Sequence, residues 1–145
     1  MTVHLIKLCV GVETPRELAE WQARRLKRLA RAGKRPEHCH RTLQTPRRRE
    51  EILDGGSLYW VIKGIIQVRQ RIVGFGEGNK KDGSPCCLIL LDEALIPVRP
   101  TARRAFQGWR YLDATDAPAD LKRGERKLAD LPEKMRRDLA ELGLI

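Results

Sequence analysis

The sequence has few aromatic residues, no long apolar run and no export signal. Three Trp, two Tyr and two Phe are its only aromatics, so we expect Trp60 and Phe106 in the core and Trp109 or Tyr59 exposed. No stretch approaches the roughly 20 apolar residues of a membrane span. The first residues lack a cationic start and a cleavage site, and Lys7 interrupts their apolar part. These absences predict a cytoplasmic protein with reduced cysteines and no membrane partner.

Metal and cofactor motifs are also missing from the sequence. His38, Cys39 and His40 are adjacent, as are Cys86 and Cys87, whereas structural zinc sites favour ligand pairs separated by two to four residues. A later Gly-Glu-Gly-Asn run lacks the third glycine of a dinucleotide fingerprint. We therefore predict no metal and no cofactor, a surface His-Cys-His segment, and two buried thiols in a strand.

Positive charge is what the sequence has in excess, with a formal net charge of +10. Residues 1–49 contain 13 Lys and Arg against 4 Asp and Glu, while the other 96 residues contain 16 against 15. A basic lobe on a near-neutral body is typical of proteins that bind a polyanion, nucleic acid first and an acidic membrane or protein next. The length and composition predict a single globular domain over residues 1–145.

A helix is predicted from Thr14 to about Arg31, because three residues form its start. Thr14 can cap it, Pro15 suits its first position, and Glu17 can close a capping box. Gly33 can end it. Four cations share the face opposite the apolar residues, namely Arg24, Lys27, Arg28 and Arg31. This face is either simply solvated or contacts phosphate, and the pattern leaves both readings open.

The central run over residues 54–75 predicts two strands. Leu58–Ile62 is an unbroken apolar and aromatic row that suits a strand buried on both faces. Gly64 interrupts the run and predicts a bulge or a bend. Polar and apolar residues then alternate from Ile66 to Ile72. Gln70 falls among the apolar positions, so we expect either a satisfied core amide or a residue that lines a pocket.

The remaining patterns complete an α+β fold, a small mixed β-sheet or partly closed barrel flanked by an N-terminal and a C-terminal helix. Val3–Val10 and Cys86–Leu91 are predicted as buried strands. Val98–Arg104 is predicted as an edge or loop segment because prolines punctuate it. Residues 34–49 are predicted as a polar connection, and Leu131–Leu142 as the last helix.

Three segments together resemble a known but uncharacterised family. They are LIKLCVG near the start, DGGSLYWVIKG followed by VRQRI in the middle, and RAFQGWRYL near the end. They are similar to a bacterial family of small, single-domain cytoplasmic proteins grouped as a domain of unknown function, which implies no activity. More remotely, the strand–Gly–strand centre resembles the small barrels of the PUA-like superfamily. That likeness implies binding of RNA or a modified base, or, as in a few members, a small hydrolase or ribonuclease.

The function predicted from these patterns is non-catalytic binding of nucleic acid, RNA rather than DNA. Aromatic residues interleaved with arginines allow bases to stack while cations meet the backbone. The predicted phosphate contacts are Arg24, Lys27, Arg28, Arg31, Arg47, Arg48 and Arg49. The predicted specific surface consists of Arg69, Gln70, Arg71, Arg103, Arg104, Gln107, Trp109 and Arg110. The amides of Gln70 and Gln107 are the candidate readers of base edges.

Two other functions remain open at the level of sequence. The first is a small enzyme, a hydrolase or nuclease acting on a nucleotide or modified base. Its candidate residues are Lys63, Asp54, Ser57, and Cys86 or Cys87. Burial of Lys63 beside Trp60 would lower its pKa and allow it to act as a base. The second is a protein-interaction module in which the basic helix docks on an acidic partner. No pattern predicts the oligomeric state.

Overall fold

In the part of the chain that the structure describes, six strands form one mixed sheet with two helices packed against it. The computed structural model describes residues 2–104 and 106–122. The elements are β1 (Val3–Leu8), α1 (Pro15–Arg31), β2 (His38–Thr42), α2 (Arg49–Leu53), β3 (Ser57–Ile62), β4 (Ile65–Asn79), β5 (Pro85–Ala102) and β6 (Trp109–Asp113). The strand order is β2-β5-β4-β3-β1-β6. Strands β1 and β3 are parallel, and the other neighbours are antiparallel.

This architecture confirms the predicted α+β class with a mixed sheet. The sheet is not closed, because β2 and β6 are its two edges. The helix predicted over Leu131–Leu142 lies outside the described residues. Neither helix in the described ranges is long and apolar enough to cross a bilayer.

The start and the end of α1 are as the sequence predicts. The hydroxyl of Thr14 accepts a hydrogen bond from the backbone N–H of Glu17 at 3.1 Å. The carboxylate of Glu17 accepts one from the backbone N–H of Glu13, also at 3.1 Å. The first bond satisfies an N–H group of the first helical turn. The second joins Glu17 to the residue before the cap, whereas in a capping box it would return to Thr14, so only the predicted cap by Thr14 is confirmed. Gly33, with φ of +72°, follows the last turn.

A two-residue turn joins β3 to β4. Lys63 and Gly64 have φ of +53° and +78°, the conformation of the tight turns whose twist matches paired strands. The two predicted strands are therefore confirmed, but Gly64 belongs to the turn and not to a bulge. The register shift of this pair lies between Trp60 and Val61.

The sheet carries a hydrophobic core on each face. The helix-side core contains Val3, Leu5, Leu58, Trp60, Ile62, Val68, Ile72, Ile89 and Leu91, with Leu18 from α1 and Ile52 from α2. The opposite core contains Ile6, Tyr59, Val61, Ile66, Val98 and Leu112. Because β3 is buried along its whole length, the prediction of a buried Trp60 is confirmed. The suggestion that Tyr59 is exposed is wrong, since its exposed fraction is 4%.

The long strands β4 and β5 curl the sheet. Their pairing shifts register three times, and such irregularities bend strands and increase twist. The ring of His40 on β2 consequently lies 5.1 Å from that of Trp60 on β3, edge to face. Two strands separate β2 from β3 in the sheet order, which in a flat sheet would put them about 14 Å apart. The helix side of the sheet is therefore concave.

The segment between β2 and α2 crosses from one edge of the sheet to the other. The indole N–H of Trp109 on β6 donates to the carbonyl of Gln44 at 3.1 Å. The hydroxyl of Tyr111 accepts from the backbone N–H groups of Arg47 and Arg48, at 2.9 and 3.2 Å. The prediction that residues 34–49 form a polar connection is therefore incomplete, because this segment also contains the edge strand β2.

The proline-containing part of β5 lies at an edge of the sheet, as its sequence predicts. The segment from 86 to 91 is the predicted strand, and Cys86 and Cys87 are buried in it. Strand β2 pairs only with this first part of β5. Among the described residues, no strand of the sheet pairs on that side with the second part, which contains Pro97 and Pro100. Val98 forms an isolated bridge with Asp120 there.

Among the described glycines, Gly56 is the one whose replacement should lower the free energy of unfolding most. A Cβ at this position would collide with the backbone oxygens of Val3 and Ile52, and neither can move without disturbing β1 or α2. We expect Gly56→Ala to lower the free energy of unfolding by about 3 kcal/mol, measured by urea denaturation. Gly76→Ala is the control, because its Cβ would make an ordinary 3.7 Å contact with Leu88. Equal effects of the two substitutions would contradict this packing.

Candidate functional site

A cleft of about 410 Å³ opens on the concave side, between α1, the loop after β1, and β2. We call it the α1–β2 cleft. Its polar and aromatic lining includes Lys7, Trp21, Arg25, His38, His40 and Trp60. The described residues that line it include no Asp or Glu. The volume is within the range of small-ligand pockets, about 300–1,000 Å³, and the charge of the lining favours an anionic occupant.

A pair of glutamines joins α1 to the sheet beside this cleft. The side-chain amides of Gln22 and Gln70 donate to each other's oxygens, both at 3.0 Å. Gln70 also accepts from the indole N–H of Trp60 at 3.2 Å and donates to the carbonyl of Asp92 at 2.7 Å. The exposed fraction of Gln70 is 0%. The predicted satisfied core amide is therefore confirmed, and the suggestion that Gln70 reads base edges is wrong because no base can reach it.

Arg25 connects α1 to β2 at the cleft. Its guanidinium donates to the backbone carbonyl of Cys39 and, at 3.2 Å, to the sulfur of the same residue. It also lies 5.8 Å from the ring centre of Trp21. Arg25 was not among the predicted site residues, because it lies between the apolar and the cationic faces of the helix. Its spacing of three and seven from Gln22 and Leu18 was the available signal.

His40 presents a neutral imidazole inside the cleft. Within the described ranges its Nε2 is buried and has no hydrogen-bond partner. Its pKa is lowered from 6.5 to about 4, chiefly by burial and then by the positive charges of Lys7 and Arg25. Burial also lowers the pKa of His38, against the opposing charge of Glu93. The predicted surface His-Cys-His segment is wrong, because β2 turns both imidazoles into the cleft.

Lys7 links the cleft to a second groove. Its side chain is half-buried, burial lowers its pKa, and it has no ion-pair partner in the described part of the chain. The second groove is also lined by Arg41, Gln44, Trp109 and Arg110. As in the first, no described lining residue is acidic.

A third groove continues from the second through Arg110. Its lining contains Arg103, Arg104, Phe106 and Tyr111. The guanidinium of Arg110 lies 5.5 Å from the ring centre of Phe106. We call the joined cations the cationic track, defined as Arg25, Lys7, Arg41, Arg110, Arg103 and Arg104. Aromatic side chains accompany the track along its course.

The predicted phosphate contacts are divided between two places outside the cleft. Those on α1 are exposed: Arg24, Lys27, Arg28 and Arg31. The second group follows β2, where Arg48 lies 5.3 Å from the ring centre of Tyr111 and forms an ion pair of 2.6 Å with Glu51. Arg47 is exposed, and Arg49 lies 5.5 Å from the ring centre of Phe75.

The predicted specific surface is only partly assembled. Arg103, Arg104, Gln107, Trp109 and Arg110 meet in the second and third grooves. Arg69 and Arg71, both on β4, line neither of these two grooves. The guanidinium of Arg69 binds both oxygens of Asp120, at 2.7 and 2.9 Å, and the hydroxyl of Ser57 at 2.9 Å. Its charge is already compensated.

The residues suggested for catalysis do not form a site. Lys63 is exposed in the β3–β4 turn, 3.3 Å from Glu13, so its predicted burial beside Trp60 is wrong. The hydroxyl of Ser57 is buried and accepts from Arg69. In the described ranges no histidine hydrogen-bonds to a cysteine or serine side chain, and no three His, Cys, Asp or Glu residues are grouped as metal ligands.

A comparison with models of known protein families shows the family to which the chain belongs. A family model described as Protein of unknown function (DUF1489) matches residues 5–145. The chain belongs to the DUF1489 family. This confirms the resemblance to an uncharacterised family over nearly the whole sequence. No curated protein and no solved structure matches the chain.

Removal of the buried amide of Gln70 should be strongly destabilising. Gln70→Leu leaves Gln22, the indole N–H of Trp60 and the carbonyl of Asp92 without their partner. We expect a loss of about 2–4 kcal/mol in the free energy of unfolding, with part of it recovered in Gln22→Leu/Gln70→Leu. Exposed Gln107→Leu is the control, and urea denaturation measures all four proteins. A Gln70→Leu protein as stable as the control would exclude a structural role for the pair.

Stability should fall in mild acid because of His40. Its pKa is about 4 in the folded protein and 6.5 when unperturbed, so the unfolded chain binds the proton more tightly between these values. The stability contributed by the neutral ring is present above about pH 6.5 and is lost as pH falls. We expect a loss of roughly 2–3 kcal/mol between about pH 7.5 and pH 4.5.

His40→Phe, which retains the ring contact with Trp60, should remove this part of the pH dependence. His38→Phe is the matched control and should remove less, because Glu93 opposes the effect of burial at His38. Urea denaturation across this pH range measures the slope. An unchanged slope in His40→Phe would contradict the assignment.

Proposed function

We propose that this DUF1489 protein binds single-stranded nucleic acid, RNA in preference to DNA, along the cationic track. The observation that carries the proposal is the continuity of the track. Two grooves meet at Lys7, and none of the described residues that line either one is acidic. A polyanion that follows this path meets cations from α1, β1 and β6 without crossing a carboxylate of the lining.

The electrostatics of the track support a polyphosphate ligand. Lys7 is half-buried, and both it and Arg25 line the cleft and act on His40 in the same direction. Like charges concentrated in a partly desolvated groove destabilise the free protein. A phosphate backbone relieves this repulsion and releases its own counterions on binding. In this proposal the outer cations of α1 and of residues 47–49 add contacts that do not depend on sequence.

The aromatic side chains favour a single strand. Trp21 is 43% exposed beside Arg25, and Trp109, Phe106 and Tyr111 are half-buried along the other two grooves. Stacking of an unpaired base on such a ring contributes about 1–3 kcal/mol. A cleft of about 410 Å³ admits a base or a nucleotide but not a duplex. The exposed amides of Gln44 and Gln107 beside the track are suited to the 2′-hydroxyl of RNA.

The likeness to PUA-like barrels belongs to this proposal. It is supported by the curved sheet, whose concave side faces the cleft, and it rests on analogy between folds. We place the function in the cytoplasm, where all four cysteines would stay free, as they are in the structure. Catalysis is not part of the proposal, because the exposed Lys63 and the buried Ser57, Cys86 and Cys87 do not form a catalytic pair in the described residues.

The test is a fluorescence-anisotropy titration of the protein against labelled single-stranded RNA, single-stranded DNA and duplex RNA of equal length. At about 50 mM salt we expect the order single-stranded RNA, single-stranded DNA, duplex, and a marked loss of affinity at about 200 mM. Lys7→Gln should weaken binding to RNA about fivefold to tenfold and reduce the salt slope by about one. Lys81→Gln, an exposed lysine in the β4–β5 loop, is the control with the same change in charge.

Three outcomes would contradict the proposal. The first is no binding at the lower salt by folded protein. The second is equal weakening by Lys7→Gln and Lys81→Gln, which would mean that only the overall charge matters. The third is retention of a protein partner after nuclease treatment of a pull-down, with no nucleic acid bound by the purified protein. That result would favour the protein-interaction function instead.

A further inference from the structure

Two neighbouring side chains of β6, those of Trp109 and Arg110, line the second groove. The indole N–H of Trp109 donates to the carbonyl of Gln44 at 3.1 Å, and the indole lies edge to face with Tyr111 at 5.0 Å between ring centres. These two contacts fix the orientation of the indole. Because Trp109 is half-buried and lines the groove, part of its surface is open to a ligand.

The guanidinium of Arg110 is also held in a fixed position. Its Nη1 group donates to the carbonyls of Gln107 and Trp109, at 2.7 and 3.1 Å, and the ring centre of Phe106 lies 5.5 Å away. Its Nε–H and Nη2–H groups make no hydrogen bond within the described ranges, and they form one edge of the planar guanidinium. Such an edge donates two parallel hydrogen bonds to a pair of neighbouring acceptors.

The described lining of the second groove is rich in hydrogen-bond donors and contains no carboxylate. Lys7, Arg41 and Arg110 can only donate. Guanine presents two neighbouring acceptors, O6 and N7, on its major-groove edge, and bidentate arginine is their commonest partner in proteins. Adenine presents one acceptor and one donor there, uracil one acceptor, and cytosine a donor. The groove therefore matches guanine better than the other bases.

We propose that the second groove is a subsite for one guanine nucleotide, with the base stacked on Trp109 and its O6–N7 edge bound by Arg110. Lys7 is placed for the phosphate, because it lies directly opposite Trp109 in the pairing of β1 with β6, where Cβ atoms are about 5 Å apart. The groove volume of about 500 Å³ is sufficient for one nucleotide. The inference rests on the proposed function, because it names the nucleotide of the bound strand that is read.

This subsite predicts one base-selective position on an otherwise sequence-tolerant track. Stacking on an aromatic ring and contacts with phosphate accept any base, whereas a fixed guanidinium edge distinguishes bases by the acceptors that they present. A labelled oligouridine with a single guanine should therefore bind about tenfold more tightly than the same strand with a single cytosine. Fluorescence anisotropy measures both affinities.

A second measurement on the unaltered protein uses free nucleotides, which offer the same chemistry as a nucleotide within a strand. The four ribonucleoside 5′-monophosphates and ribose 5-phosphate are titrated separately, and the indole N–H signal of Trp109 is followed by NMR. We expect guanosine monophosphate to bind about tenfold more tightly than cytidine monophosphate or ribose 5-phosphate. The signals of Trp21 and Trp60 should move less, because these residues line the α1–β2 cleft and not the second groove.

The variant Arg110→Lys tests the role of the guanidinium, because it retains the positive charge and removes the paired donors. The preference for guanine over cytosine should fall below about twofold, while the salt dependence of strand binding is unchanged because no charge is lost. Arg16→Lys is the matched control, since Arg16 is exposed at the start of α1 and outside the cationic track. It should retain the preference. If Arg110→Lys does not fold, the two measurements on the unaltered protein still decide the question.

The outcomes separate this inference from the proposed function. Salt-dependent strand binding without a preference for guanine would overturn the subsite and leave the proposed function intact. Ribose 5-phosphate bound as tightly as guanosine monophosphate would also overturn it, because only an anion would then be recognised. Selective binding of guanosine monophosphate without strand binding would support the subsite, identify a free nucleotide as its ligand and overturn the proposed function.

Discussion

The reciprocal hydrogen bonds between Gln22 and Gln70 are the contact on which the candidate site depends. Leu18 and Gln22 are the buried residues of α1, so the helix rests on the sheet through little apolar surface. The amide pair fixes its position, and Gln70 fixes the ring of Trp60 as well. Arg25 adds a second link to Cys39. A helix held at a few points, over a concave sheet, leaves room for a cleft that closer packing would fill.

Some of the described cations are paired with a carboxylate, whereas others line grooves without one. Arg69 binds Asp120 on the opposite face, and its hydrogen bonds are the main reason that the pKa of that carboxyl is lowered. Arg48 pairs with Glu51. The residues of the cationic track lie instead in grooves whose described linings contain no carboxylate. Concentrated charge without compensation is costly in the free protein, and the proposed polyanionic ligand would relieve that cost.

Local patterns predicted the parts of the fold that local chemistry determines. The helix start at Thr14 and the strands around the β3–β4 turn follow from neighbouring residues. Strand β2 was missed, because His-Cys-His-Arg-Thr has no strong strand pattern and is ordered by pairing with β5. The partner of Gln70 is 48 residues away along the chain. The cleft therefore could not be predicted, since its walls meet only through long-range pairing and the curl of the sheet.

The most direct test of the central claim is ultraviolet cross-linking of bound single-stranded RNA, followed by mass-spectrometric mapping of the modified peptides. The account predicts cross-links on the peptides that contain Trp21, His38 to His40, and Trp109, which line the cleft and the groove next to it. Cross-links confined to the outer cations of α1 and to residues 47–49, with the cleft peptides unmodified, would contradict it.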